Sequence, residues 1–176
     1  GEGAPVATLL VGGEGFVGSP DPRVLAIAAA SRSPAGRWVE AGAPVGLLGI
    51  EPHTRRRNRA NGRIAYAGEE GFIVEVAQSF GNCPQYIHPR DLELVAGDAP
   101  FEAFDGLDEA ARAQIAAADT FFVATVSGAG IDNGGVDISH RGGPPGFVRM
   151  DGEVLTIPDY RGNRYFNTLG NLLLEP

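Results

Sequence analysis

Apolar positions along the chain fall in short runs broken by glycine and proline, a pattern that predicts strands and turns rather than long helices. Val6 to Val11 (VATLLV), closed by Gly12-Gly13, reads as a buried strand. Val24 to Ala30 is a second apolar run that fits either strand or helix, and Pro34 to Ala41 is a weakly amphipathic helix around Trp38. Val45 to Ile50 reads as a strand between Pro44 and Pro52. From Gly71 to Gln78, Phe72, Val74 and Val76 alternate onto one face, as in a half-buried strand. Asn61-Gly62 is either a hairpin turn or a bend inside a longer strand.

The pattern changes after residue 91. Asp98-Ala99-Pro100 reads as a linker, and Asp108 is placed to cap a helix from Glu109 to about Ala117. Strands follow at Phe121 to Val126, Val136 to Ser139, Gly146 to Met150 and Val154 to Ile157, with Asp151-Gly152 as a hairpin signal. Tyr165, Phe166, Leu169, Leu172 and Leu173 recur at helical spacing and predict a final helix from Asn163 to Leu174.

Part of the pattern occurs twice. Gly12-Gly13-Glu14-Gly15-Phe16-Val17 is similar to Gly142-Gly143-Pro144-Pro145-Gly146-Phe147-Val148, with one residue of slippage. Each is followed by Leu-x-Ile, at Leu25-Ala26-Ile27 and Leu155-Thr156-Ile157. Matching order and spacing favour a duplication. On that reading the chain is a window that begins inside one copy and ends before the second is complete. The missing initiator Met points the same way, to a processed, trimmed or truncated start.

Composition narrows the chemistry. The 176 residues include 22 acids and 14 cations, a net charge of −8 that argues against non-specific nucleic-acid binding. Every cation is Arg, which excludes a Schiff-base lysine, a lysine base and a P-loop lysine. The 26 Gly and 13 Pro favour a turn-rich β protein. A single cysteine excludes an internal disulfide and fits a reducing, cytoplasmic compartment. No apolar run approaches the roughly 18 residues of a membrane span, and no signal peptide is visible.

Short motifs exclude more than they assign. Gly13-Glu14-Gly15-Phe16-Val17-Gly18 has dinucleotide-loop spacing, but Ser19-Pro20-Asp21-Pro22 follows where a helix would have to start, so these glycines serve turns. Cys83 reads as a small buried residue, and the three scattered His make no metal site. Arg55, Arg56, Arg57, Arg59 and Arg63 form one basic cluster. No aromatic residues interleave with it, so a solvated strand end or an interface is favoured over nucleic acid, with a phosphate contact left open. The richest stretch runs from Ile138 to Asn171. It sets His140-Arg141 on one strand and delivers Pro158-Asp159-Tyr160-Arg161-Gly162-Asn163-Arg164 to the start of a helix, a donor set suited to a terminal phosphate.

Three segments of that stretch, Ser139 to Val148, Asp159 to Asn163 and Asn167 to Asn171, closely resemble the pyridoxamine 5'-phosphate oxidase-like flavin-binding proteins. Ser79 to Ile87 and His53 to Arg59 also look like that superfamily, in its longer two-repeat branch. The matched stretches are spread from His53 to Asn171.

The resemblance implies a mostly β protein with a few short helices, an FMN-binding split β-barrel built as two partial units in tandem. Residues 1–97 would be the first unit, lacking its N-terminal part. Residues 98–108 would be a linker, and 109–176 the N-terminal half of the second unit. FMN would be held by His140, Arg141, Tyr160, Arg161, Gly162, Asn163 and Arg164, with Asn167 beside them, while Gln78, Ser79 and the 82–86 segment approach from the other unit. The expected activity is flavin hydride transfer on a small molecule or with a nicotinamide donor, in a homodimer or with the two units paired in one chain. No catalytic residue is assigned; Tyr86, His140 and Tyr165 are available as acids or bases. The absent lysine departs from the classical oxidases and speaks against pyridoxamine phosphate as substrate. The alternative is a flavin carrier or sensor without turnover, or a structural repeat that binds nothing.

Overall fold

A computed structural model describes residues 4–28, 39–81, 83–93, 105–128, 130–131 and 134–176. Most of the expected helix from Pro34 to Ala41 and most of the expected linker lie outside the described residues; residues 39–41 are described and are not helical.

The protein is mostly β. A five-stranded antiparallel sheet holds β1 (Val17–Asp21), β2 (Val24–Ile27), β3 (Pro44–Glu51), β4 (Arg56–Gly68) and β5 (Gly71–Gly81), in the order β1-β2-β5-β4-β3. Its apolar face forms where the period-2 pattern is cleanest: Phe72 and Val74 of β5 are buried with Ile27 and Ile64, and Leu10, Phe16, Leu25 and Leu47 pack against them. Burial of side chains of this size stabilises by roughly 1.5–3 kcal/mol each. Asn61-Gly62 proves to be the bend inside a strand, a bulge in the β4–β5 pairing. The run Val6 to Val11 is not a buried strand. It pairs with no described strand and leaves Val6, Leu9 and Val11 exposed, only Leu10 reaching the core. An apolar run becomes a strand only if a neighbour meets its backbone groups, and here β1 forms the sheet edge instead.

The rest of the chain builds α1 (Glu109–Ala117), the ribbon of β6 (Thr120–Val126) and β7 (Val136–Gly142), the hairpin of β8 (Arg149–Asp151) and β9 (Val154–Thr156), and α2 (Asn167–Leu174). Asp108 caps α1, its carboxylate accepting from the Ala111 N–H at 2.7 Å. α2 starts four residues later than its apolar spacing predicts, because Arg164 (φ 63°) and Phe166 (φ 55°) hold left-handed backbone that cannot continue a helix. Asn171 ties α2 to β6 through the Thr125 hydroxyl at 3.0 Å. β7 crosses β3 at Gly46, where an added Cβ would lie 3.1 Å from the Val136 carbonyl oxygen, so a glycine allows the two sheets to meet.

The sequence repeat has a structural counterpart. Phe16 N–H donates to the Gly13 carbonyl at 3.1 Å, and Phe147 N–H to the Pro144 carbonyl at 3.0 Å. Gly15 (φ 82°) and Gly146 (φ 81°) take the same left-handed conformation in the two turns. Each turn leads into a hairpin, closed by Asp21 opposite Val24 and by Asp151 opposite Val154. The second hairpin's two-residue loop is Gly152-Glu153, one residue beyond the expected pair. β1 carries a register shift between Gly18 and Asp21 that β8 lacks, and this absorbs the one-residue slippage. The described strands form three separate sheets and no closed barrel. Among the described residues no helix is long and apolar enough to cross a membrane.

Candidate functional site

A cavity of about 280 Å³ opens between β4, the 83–86 loop, β7 and the 158–169 segment. It draws on both of the units expected from sequence. Of the expected flavin ligands, His140, Arg141, Tyr160, Arg161, Gly162, Asn163, Arg164 and Asn167 all line it. Gln78 and Ser79 do not; they pair with Asn61 and Ala60 within the β4–β5 ladder.

The floor is formed by buried residues: Arg59, Ser139, His140, Gly142, Phe147 and Thr168. Arg57 and Arg59 reach it because residues two apart in β4 share a face. That alternation was the available signal for splitting the basic cluster. Arg55 and Arg56 stay exposed outside the cavity, and Arg63 donates to the Gly42 carbonyl at 2.9 Å.

Beneath the floor Asp137 is a buried hub. It takes Arg59 Nη1 at 2.9 Å, Asn61 Nδ2 at 3.1 Å, the Ser139 hydroxyl at 3.2 Å and Asn167 Nδ2 at 3.3 Å. The Thr168 hydroxyl donates to Ser139 Oγ at 2.9 Å, so the first turn of α2 is fixed to β7. Asn167 therefore spends an amide proton on Asp137 while lining the cavity.

Arg57 donates from Nη1 to His140 Nδ1 at 2.8 Å and from Nη2 to the Cys83 carbonyl at 3.3 Å. A guanidinium only donates, so His140 Nδ1 is an acceptor and the ring proton sits at Nε2. Burial, with the Arg57 charge added, pushes the His140 pKa down to about 4. Burial and then the adjacent Arg59 charge lower the Arg57 pKa from its ordinary value. Both shifts describe a floor uncomfortable with its own positive charge. The Nε–H groups of Arg57 and Arg59 are buried with no acceptor among the described residues, and an unsatisfied buried donor costs about 1–3 kcal/mol.

The rim is exposed. Tyr86 and Tyr160 stack with centroids 5.2 Å apart, and the Tyr86 hydroxyl donates to the Arg161 carbonyl at 3.1 Å. Arg141 pairs with Asp159 at 2.8 Å. Tyr86 (φ 64°), Arg164 and Phe166 are three of the four non-glycine residues with left-handed backbone among the described residues, and all three line this cavity. Strain concentrated in this way is typical of ligand sites. Cys83 is exposed at the rim rather than buried, because it follows β5 on the surface loop that carries Tyr86. Gly142 has no alternative here: a Cβ would collide with the Tyr86 carbonyl oxygen.

In a chain of net charge −8, the cavity gathers five Arg and one acid, Asp159. Such a donor set fits a phosphate or carboxylate, with aromatic rings beside it for a planar group. Among the described residues no group of three or more His, Cys, Asp or Glu could hold a metal ion. Compared with protein-family models, with curated proteins and with solved structures, the chain matches none.

Proposed function

We propose that this chain binds FMN as part of a split-barrel flavoprotein of the pyridoxamine 5'-phosphate oxidase-like type, and that it serves an oxidoreductase. The observation that carries the reading is the cavity itself, which gathers five arginines and a single acid, Asp159, in a chain of net charge −8. The motif segments from Ser139 to Asn171 support it independently, since most of their polar residues line the same cavity.

When bound, FMN supplies two-electron redox chemistry. The chain's own residues provide the setting. Arg57 and Arg59 would hold the phosphate, with Ser139 beside them. His140 keeps its proton at Nε2 and is neutral at physiological pH, a hydrogen-bond donor that adds no charge. The Tyr86–Tyr160 stack would offer an aromatic surface at the rim.

Titration with FMN, followed by flavin fluorescence, tests the reading. FMN should bind about ten-fold or more tighter than riboflavin, which lacks the phosphate. Arg57→Ala should weaken FMN by about 1.5–3 kcal/mol, as for hydrogen bonds to a charged group. Absence of FMN binding by the refolded wild-type chain would end the proposal. Anaerobic mixing with NADPH or NADH then separates a reductase, whose flavin bleaches, from a carrier, whose flavin does not.

A further inference from the structure

We propose that Arg161 and Arg164 form a second anion subsite, at the rim of the cavity, which takes the carboxylate or phosphate of the molecule that reacts beside the flavin. The inference rests on the flavin reading and adds the substrate class to it.

The cavity has two tiers of cation. Arg57 is half-buried and Arg59 buried, both on β4, and each is committed to protein partners through its Nη atoms: His140 and Cys83 for Arg57, Asp137 and Ser139 for Arg59. Their Nε–H groups are buried and have no acceptor among the described residues. Arg141 is neutralised by Asp159, the one acid lining the cavity. Arg161 and Arg164 differ from all three. Both are exposed, and neither side chain has a hydrogen bond or ion pair with any described residue.

Their backbone, by contrast, is held. The Tyr86 hydroxyl fixes the Arg161 carbonyl, Asn163 Oδ1 accepts from the Tyr165 N–H at 3.2 Å, and Arg164 is locked in left-handed conformation. Two guanidiniums without a partner among the described residues, on a fixed segment that lines the same cavity as the stacked tyrosine pair, make a clamp for an incoming acid. A planar fork is suited to carboxylate or phosphate oxygens. The resemblance noted in the sequence would give both arginines to the FMN phosphate. The two assignments predict opposite results for the same variant.

The test compares wild type with the double variant Arg161→Ala/Arg164→Ala. FMN affinity is measured first by fluorescence, and the FMN-loaded proteins are then titrated with pyrophosphate and with citrate by calorimetry. Pyrophosphate or citrate should bind the loaded wild type, and the double variant should lose about ten-fold or more of that affinity while its FMN affinity changes less than about three-fold. Preference for pyrophosphate marks a phosphate-bearing partner, and preference for citrate a carboxylic acid. A ten-fold loss of FMN affinity in the double variant would return both arginines to the cofactor and overturn the inference while leaving the flavin reading intact. Failure of both anions to bind loaded wild type overturns it equally. If wild type takes no FMN at all, the flavin reading fails first and this one with it.

Discussion

Asp137 accepts hydrogen bonds from Arg59, Asn61, Ser139 and Asn167, and so ties β4, β7 and the first turn of α2 to one carboxylate. Asp137 and Arg59 are both buried, so removing the acid leaves an uncompensated charge. Asp137→Ala should cost about 3–5 kcal/mol in urea unfolding, far above an ordinary surface substitution. His140 sets a pH dependence. Its pKa of about 4 in the fold lies below the ordinary value of 6.5, so the unfolded chain binds the extra proton first. Stability is therefore full above pH 6.5 and falls as pH drops toward 4, by about 3 kcal/mol at most. Urea midpoints at pH 7 and pH 4.5 should differ, and the difference should shrink in His140→Asn. At this scale His140 and Arg141 were legible because they sit in a long motif. Arg57 and Arg59 were not, since five neighbouring arginines look alike until strand register decides which side chains face inward. Gln78 and Ser79, consecutive in β5, do not line the cavity.

Elements governed by local chemistry were the most legible. The Asp108 cap stands where the sequence puts it, and Asp108→Ala should cost about 1 kcal/mol by thermal unfolding. The β8–β9 hairpin is set by its turn residues, with Gly152 at φ 59°. What failed depended on distant partners. VATLLV has the apolar character of a strand but pairs with no described strand, and the start of α2 is fixed by left-handed residues that apolar spacing does not register. The contact between the Tyr86 loop and the end of β7 is of this long-range kind. Gly142→Ala would drive a methyl into the Tyr86 carbonyl, and should destabilise by about 1–3 kcal/mol, the usual cost of overpacking. Because Tyr86 also positions the Arg161 backbone, the same variant should loosen the rim, seen as weaker anion binding by the FMN-loaded protein.

At the scale of the molecule, the mostly β class follows from short apolar runs and abundant turn residues, while closure into a barrel does not. The repeated sequence pattern shows how context overrides local signals. Leu25-Ala26-Ile27 and Leu155-Thr156-Ile157 are close in sequence, yet Ile27 is 4% exposed and Ile157 43%. The difference is that β2 pairs with β5, whereas β9 has no second neighbour among the described strands. Ile27→Ala should therefore cost about 2–5 kcal/mol. Ile157→Ala should stay within about 0.5 kcal/mol in the same denaturation experiment.

The register shift in β1 has a consequence for how this chain can change length. An extra residue in a regular strand turns every later side chain to the opposite face. Between Gly18 and Asp21 it does not: the added residue is taken up before the turn, and Val24 still stands opposite Asp21 as Val154 stands opposite Asp151. The hairpin is thus a site where one residue can be gained or lost without exchanging inside for outside. Of the two similar hairpins, β1–β2 carries the register shift and β8–β9 does not.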